Sequence, residues 1–438
     1  MHHRVLIVGT VPYNQKSTSR AFDAYFHDWE KENIAQVFSN AKTPCKGHCA
    51  ELYQITDQRM LKRFFGKKIE TGKIFYYDDL PESWLNNDLE VGGKAAKAYR
   101  IGSRHSAGTH LLRAMLWRKG NWCTDQLISW LDRFRPECVF LAFSDDFFIP
   151  QIALYVAERY NIPIVSCIGD DYYFNLRFSL NPVYWIYKLL YRRYIRKLFR
   201  HPGSAVYISD KIRDKYNAAF GLDGDTVYLT SEIERKPFAP IDRSAPKITY
   251  FGNIRMGRNL SLVDIAQSLA QIDPQYRLEV YSNENDPSYI RPLQENPYIL
   301  YGGSVPYREV CRMMSQSDIT VIVEGFRKKD IRLSRYSLST KAADALASGC
   351  AILAYGSSEC GIIEYMKSID AAMVCTDPTK LTECIRQLIG DAALQEKYYR
   401  RQITVSREHH SLEKSCATAR RIIDAAIDKS GTNDKENI

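Results

Sequence analysis

The stretch YSLSTKAADALASGCAILAYGSSECGIIEY, residues 336–365, decides how the second half of the chain is read. It parses as a loop, a helix built almost wholly from alanine, leucine and serine, a break at Gly349, a buried strand from Cys350 to Ala354, and a second Ser/Gly-containing loop. Ser337, Ser339 or Thr340 can cap the helix, because a side-chain oxygen there accepts from N–H groups that the first turn leaves unpartnered. Lys341, Asp344 and Ser348 then share one face at i, i+3 and i+7. A solvated Lys–Asp pair worth about 0.3 kcal/mol explains that face, and an aspartate is favoured near a helix's positive end in any case. The competing reading is a site. The lysine and the helix N-terminus hold a phosphate, while a carboxylate one turn further in accepts from two sugar hydroxyls, as a ribose requires.

Outward from this stretch, short apolar strands alternate with helical patterns through both halves, the signature of parallel sheets covered by helices. Strands are expected near 247–252, 277–281, 298–301, 318–323, 350–354 and 372–375 in the second half, and over 4–10, 33–39, 137–144, 163–168 and 204–209 in the first. Helices are expected over 149–160 and 209–219, with a helix pair near 107–133. Prolines and charges in SEIERKPFAPIDRSAPK, residues 231–247, interrupt the pattern and mark a domain boundary. The expected fold is α/β, with two Rossmann-like doubly wound parallel-sheet domains facing a cleft. Residues 1–235 form the first and 246–405 the second, followed by a C-terminal helix over 406–428 that could pack back on the first domain, and a polar, disordered tail over 429–438.

Composition bounds the rest. A chain of 438 residues with 45% hydrophobic content is long enough for two cores. A net charge of +9 fits an anionic ligand or a membrane surface, and no nucleic-acid motif accompanies it. The eleven scattered cysteines, several inside apolar runs, suggest reduced thiols and a cytoplasmic chain. No signal peptide or membrane span is visible. CKGHC at 45–49 has no second half-site, so no metal is assigned to it.

In open parallel sheets the ligand crevice lies beyond the carboxyl ends of the strands. After the strand at 247–252 comes GNIRMGRNLSLVDIAQSL: Gly252, Arg255, Gly257, Arg258, then a helix. Two arginines at a strand-to-helix turn, with glycines admitting the backbone, suit a diphosphate, although a solvated basic loop reads the same way.

The pairing of ITYFGNIRMGRNLSLV with LSTKAADALASGCAILAYGSSECGIIEY resembles nucleotide-sugar glycosyltransferases of the GT-B fold, especially the retaining family 4. The resemblance covers the second domain well and the first mainly by order of elements. It implies that Arg258 and Arg255 contact the donor diphosphate, that Asp344 in DALASG takes the place of the ribose-binding glutamate, that Thr340 and Lys341 match a subset of members, and that Glu364 matches the acidic residue of a following glycine-rich segment. The chain departs from the pattern at Tyr336, where members carry a first glutamate; EGF at 324–326 resembles that loop but lies 20 residues ahead of Asp344. Gly169, Asp170 and Asp171 stand after PIVSCI, where many members carry a histidine.

On the first domain, Asp170 and Asp171, and Asp145 and Asp146 after FLAFS, are the acids available to an acceptor; loop capping explains such doublets equally well. Lys16 and Arg20 in VPYNQKSTSRAF face either diphosphate or acceptor, or simply solvent. The segment 181–200 is strongly amphipathic, with Lys188, Arg192, Arg196 and Arg200 opposite Ile186, Leu190, Tyr194 and Leu198. It suits an anionic membrane surface, or a helix whose apolar row packs on the sheet.

These readings converge on a metal- and cofactor-independent hexosyltransferase-like enzyme, using a nucleotide sugar as donor and a glycan or lipid-linked acceptor in surface polysaccharide or glycoconjugate biosynthesis. Arg258, Lys341 and Asp170 are its expected catalytic residues, and the expected location is the cytoplasm or the inner face of the membrane. A non-catalytic subunit supporting a partner enzyme and a nucleotide-sugar 2-epimerase share the fold.

Overall fold

β-Branched and aromatic runs four or five residues long supply most of the strands, and most are buried on both faces, as parallel strands under two helical layers must be. The computed structural model describes residues 2–13, 20–64, 69–82, 107–146, 148–176 and 178–436. Two compact units emerge, one formed by Met1–Val227 with Cys416–Ile438, the other by Tyr228–Ser415.

The first unit holds β1 (Val5–Gly9), β2 (Ile34–Phe38), β3 (Glu51–Ile55), β4 (Gly72–Tyr76), β5 (Cys138–Ala142), β6 (Ile164–Ile168), β7 (Gly203–Tyr207) and β8 (Asp225–Thr226). Their order is β4-β3-β2-β1-β5-β6-β7-β8, parallel except for the β3–β4 pair. The second unit holds β9 (Ile248–Phe251), β10 (Leu278–Tyr281), β11 (Ile299–Gly303), β12 (Ile319–Val323), β13 (Ala351–Tyr355) and β14 (Met373–Cys375), in the order β11-β10-β9-β12-β13-β14. This is the doubly wound order, and it puts switch points between β1 and β5 and between β9 and β12.

All six strands expected in the second half are present, as are the five expected in the first. β3, β4 and β8 were not anticipated; β4 is an edge strand with exposed positions, and β8 has only two residues. The expected pair near 107–133 is three helices, Ala107–Leu116, Lys119–Trp122 and Asp125–Phe134.

The boundary moves. The chain divides at Val227/Tyr228, and the segment read as a linker is held to the second unit, where the Lys236 N–H donates to Ser348 O at 3.0 Å and the Ile241 N–H to Gln395 Oε1 at 3.0 Å. Prolines bar it from regular structure, but its backbone groups still find partners. The last helix runs Leu412–Glu436 rather than over 406–428, so residues 429–436 of the tail read as disordered continue it. From Cys416 it belongs to the first unit, where Ala419, Ile422, Ile423 and Ala426, a helical stripe, join the core of Val5, Ile7 and Phe140. Among the described residues no helix is long and apolar enough to cross a membrane.

Candidate functional site at the second switch point

At the carboxyl ends of β9 and β12 the second unit gathers charge. Gly252 follows β9 with φ +135°, and a Cβ there would lie 3.0 Å from Lys341 Cε, so the glycine makes room for the lysine. Gly257, with φ +78°, ends the turn and brings its backbone so close to Gly325 that a Cβ would lie 3.1 Å from that residue's Cα. Arg258 opens the helix Arg258–Ile272 and is buried. Its guanidinium makes a bidentate pair with Glu324, the residue after β12, at 3.1 Å (Nε to Oε2) and 2.7 Å (Nη2 to Oε1). Glu324 is only 2% exposed.

Lys341 starts the helix Lys341–Ser348, and its Nζ donates to Tyr250 Oη at 2.9 Å and lies 4.7 Å from the centre of that ring. Burial, reinforced by the Arg258 charge and opposed by Glu324, pushes its ammonium down to about 7. Burial likewise raises the Tyr250 phenol well above its usual value. Gly252, Arg258 and Lys341, taken from two separated sequence segments, thus come together with two residues the sequence reading assigned no role, Tyr250 and Glu324. EGF at 324–326 was noticed, but nothing along the chain reveals which arginine it pairs with.

The other second-unit candidates go elsewhere. Arg255 is exposed and bidentate to Glu284, with 2.9 Å from Nη2 to Oε1. It stands beside a cavity of about 570 Å³ lined by Ser282, Glu284, Arg291, Gln294 and Tyr301 among others, a cavity lined by neither Arg258 nor Lys341. Asp344 is buried and accepts from Ser231 Oγ at 2.7 Å and Tyr307 Oη at 3.0 Å. It therefore faces its own unit's loop, not solvent. Of the three residues that could cap the helix, Thr340 is exposed, has helical backbone angles and makes no capping hydrogen bond, whereas the Lys341 N–H reaches Ser339 Oγ at 3.4 Å. Glu364 is exposed in the first turn of the helix Gly361–Ile369.

In the first unit a second constellation sits past β5. Asp146 is buried, receives Arg113 Nη1 at 2.9 and 3.0 Å, and lies 3.2 Å from His110 Nδ1. Burial works to raise its carboxyl, but His110 and Arg113 outweigh that and hold it below the usual range. Arg113 Nε also approaches Asp57 Oδ2 at 3.1 Å, and Asp57 accepts from Trp117 Nε1. His110 stacks on Tyr187 at 4.9 Å and places Nε2 3.7 Å from Asp145 Oδ2. The sequence reading missed His110, Arg113 and Asp57, because no motif marks them.

Asp171 is a loop brace, accepting from the Phe174 N–H at 2.8 Å and Tyr216 Oη at 3.0 Å, with Lys215 Nζ at 3.5 Å. Asp170 is exposed and accepts from Tyr172 Oη at 3.4 Å. Arg20 opens the helix Arg20–Tyr25 and is half-buried, and Lys16 lies outside the described residues. In the helix Pro182–Leu198 the buried stripe is Tyr184, Tyr187, Tyr191, Ile195 and Leu198; of the expected row of Ile186, Leu190, Tyr194 and Leu198, Leu198 alone is buried. Tyrosines win the inward positions because their hydroxyls reach backbone acceptors, Tyr187 to Asp145 O at 2.7 Å and Tyr191 to Ser144 O at 2.8 Å.

The fold, two Rossmann-like α/β units, is the GT-B fold seen in solved glycosyltransferase structures. Residues 258–421, which carry Arg258, Glu324, Lys341 and Asp344, match the family described as Glycosyl transferase-like. The structure is similar to that of Anabaena Alr3699/HepE in complex with UDP and glucose, with a TM-score of 0.57 at 9% identity over 97% of this chain and 100% of that one. It is also similar to a mutant of S. aureus TarM in complex with fondaparinux, alpha-GlcNAc-glycerol and UDP, with a TM-score of 0.55 at 10% identity over 97% of this chain and 100% of that one. A glycosyltransferase from Rickettsia africae ESF-5 follows, at 0.51 and 10% over 98% and 99%. No curated protein sequence matches the chain.

Proposed function

We propose that the chain is a glycosyltransferase whose second unit binds a nucleotide diphosphate sugar at the β9/β12 switch point. The observation that carries this reading is the convergence of Lys341 and Arg258 beside the open backbone of Gly252. As the bond between sugar and diphosphate breaks, its electron pair passes to the departing oxygen, and fixed cations are worth most where that charge develops. Lys341 supplies an ammonium that pairs with no carboxylate among the described residues, and Arg258, oriented by Glu324, supplies directed N–H donors. Together they can carry the charge that a divalent metal carries elsewhere.

UDP in the similar Anabaena and S. aureus structures supports a uridine donor. On the acceptor side, the exposed Asp170 and the Asp145–His110 pair are the groups available to bind or deprotonate a hydroxyl. Retention, membership of family 4, a glycan or lipid-linked acceptor at the cytoplasmic face of a membrane, and a place in surface polysaccharide or glycoconjugate biosynthesis rest on the sequence resemblance.

One observation favours a second reading, a non-catalytic subunit: both arginines of the glycine loop are already paired, Arg258 with Glu324 and Arg255 with Glu284. Calorimetry with UDP followed by turnover on a panel of nucleotide sugars separates the two. Lys341→Ala and Arg258→Ala should each lower turnover at least ~100-fold, the scale of losing one charge-stabilising donor. Near-normal activity in both variants overturns the assignment, and release of free epimerised sugar without an acceptor points to the epimerase.

A further inference from the structure

The first unit carries a set of apolar side chains that its core leaves outside. With its tyrosine stripe turned inward, the helix Pro182–Leu198 presents positions 185, 186, 189, 190, 193, 196 and 197 outward, and at about 100° per residue these share one side of the cylinder, a line that position 200 prolongs past the helix end. The first four are Trp185, Ile186, Leu189 and Leu190, with Leu189 70% exposed. The later ones are Arg193, Arg196, Lys197 and Arg200, all exposed. Polarity on this face therefore changes along the helix axis, not around it. Immediately before the helix, Phe178 and Leu180 are 85% and 88% exposed. The helix Ala107–Leu116 packs against this one and leaves Leu112 and Met115 exposed as well.

Single exposed apolar residues are ordinary, but six large ones within 13 residues form a patch of the kind that meets a partner. The adjoining cations say which partner. Lys197 pairs with Glu158 at 2.8 Å, and Arg196 donates to Tyr173 Oη at 2.9 Å; among the described residues the basic half has no further carboxylate partner and is open to an anionic surface. Tryptophan beside aliphatic side chains, backed by arginine and lysine, suits the boundary between headgroups and acyl chains.

We propose that this end of the first unit docks on an anionic lipid bilayer, inclined, with Phe178, Leu180 and the Trp185–Leu190 half of the helix entering the interface and Arg193, Lys197 and Arg200 lying against the headgroup phosphates. The axial split requires the tilt, since a helix lying flat would bury its cationic half as deeply as its apolar half. No nucleotide is involved, so this inference stands or falls apart from the donor site.

The test is flotation of the full chain with phosphatidylcholine vesicles and with equimolar phosphatidylcholine/phosphatidylglycerol vesicles, combined with quenching of tryptophan by brominated lipid. The chain should float with the anionic vesicles only, and Trp185→Phe should remove the quenching. Phe178→Glu with Leu189→Glu should abolish flotation, and the milder Leu189→Ser, at an exposed site that folding does not need, should weaken it. Arg193→Gln and Arg200→Gln should each weaken partitioning about fivefold, the worth of one cation near an anionic surface. Absence of flotation, flotation unchanged by the glutamate pair, or quenching that survives Trp185→Phe overturns the proposal. So does a dimer in sedimentation equilibrium that Leu189→Ser disperses, because a second copy then covers this face.

Discussion

Each unit builds the same device at its switch point and finishes it with opposite charge. In the second unit Glu324, directly after β12, is bidentate to Arg258; in the first, Asp146, just past β5, receives one nitrogen of Arg113 on both oxygens. The additions differ. Lys341 joins the Arg258–Glu324 pair and leaves that end net positive when protonated, whereas Asp57 and Asp145 join Arg113–Asp146 and leave the other end net negative, with His110 between them. A buried pair fixes geometry at little net gain in stability, so the unbalanced third group decides what each end can hold. One end suits an anion, and the other suits hydroxyl groups that need an acceptor.

Five substitutions probe that contrast, led by the largest expected loss of stability. Arg258→Ala strands a carboxylate that is 2% exposed and should cost about 3–5 kcal/mol in urea denaturation. Arg113→Ala should cost less, because Asp146 keeps His110 as a neighbour. The reverse ranking breaks the parallel between the ends. Lys341→Ala should separate binding from folding: stability should fall by less than about 1 kcal/mol, while UDP affinity falls about 10- to 100-fold, the worth of a charge-assisted hydrogen bond. Asp146→Asn should cost about 1–3 kcal/mol and leave UDP affinity alone. Its folded-state carboxyl lies below the usual range, so its contribution is present above the unfolded pKa of about 3.9 and lost as pH falls through the folded value; the variant should flatten acid denaturation in that window. Glu364→Ala, exposed in a first helical turn, should change stability by no more than about 0.5 kcal/mol.

A pH measurement sharpens the contrast further. Lys341 sits at about 7 in the free protein, so near pH 7 it is about half protonated, and a bound diphosphate would hold the proton. Binding should then take up protons near neutrality and weaken as pH rises above 7, which calorimetry in buffers of different ionisation enthalpy detects. Lys341→Ala should abolish the uptake, and a pH-independent affinity in the wild type would contradict the placement of the lysine on the phosphate.

Much of the architecture was legible because hydrophobic period is a local property. The strand at Cys350–Ala354 in the reading is β13 in the structure, one residue displaced, and the glycine loop does lead from β9 into the helix at Arg258. Partnerships were not legible. Asp344 looked like an open acid on a helix face, yet Ser231, 113 residues away, and Tyr307 occupy it. The amphipathic helix was assigned its cations and its apolar row around the cylinder, but tyrosine hydroxyls seeking backbone carbonyls turned a different stripe inward.

By itself, then, the sequence determined two parallel α/β units, their glycine turns and the two segments that carry Arg258 and Lys341, because strand burial, helix period and backbone freedom at glycine are written in neighbouring residues. Tertiary structure alone decided which carboxylate meets which cation, and which helix face looks outward. Desolvation and hydrogen-bond geometry act between residues that the chain order keeps far apart, so Glu324 claims Arg258 and Lys341 loses its proton readily only after the strands have paired.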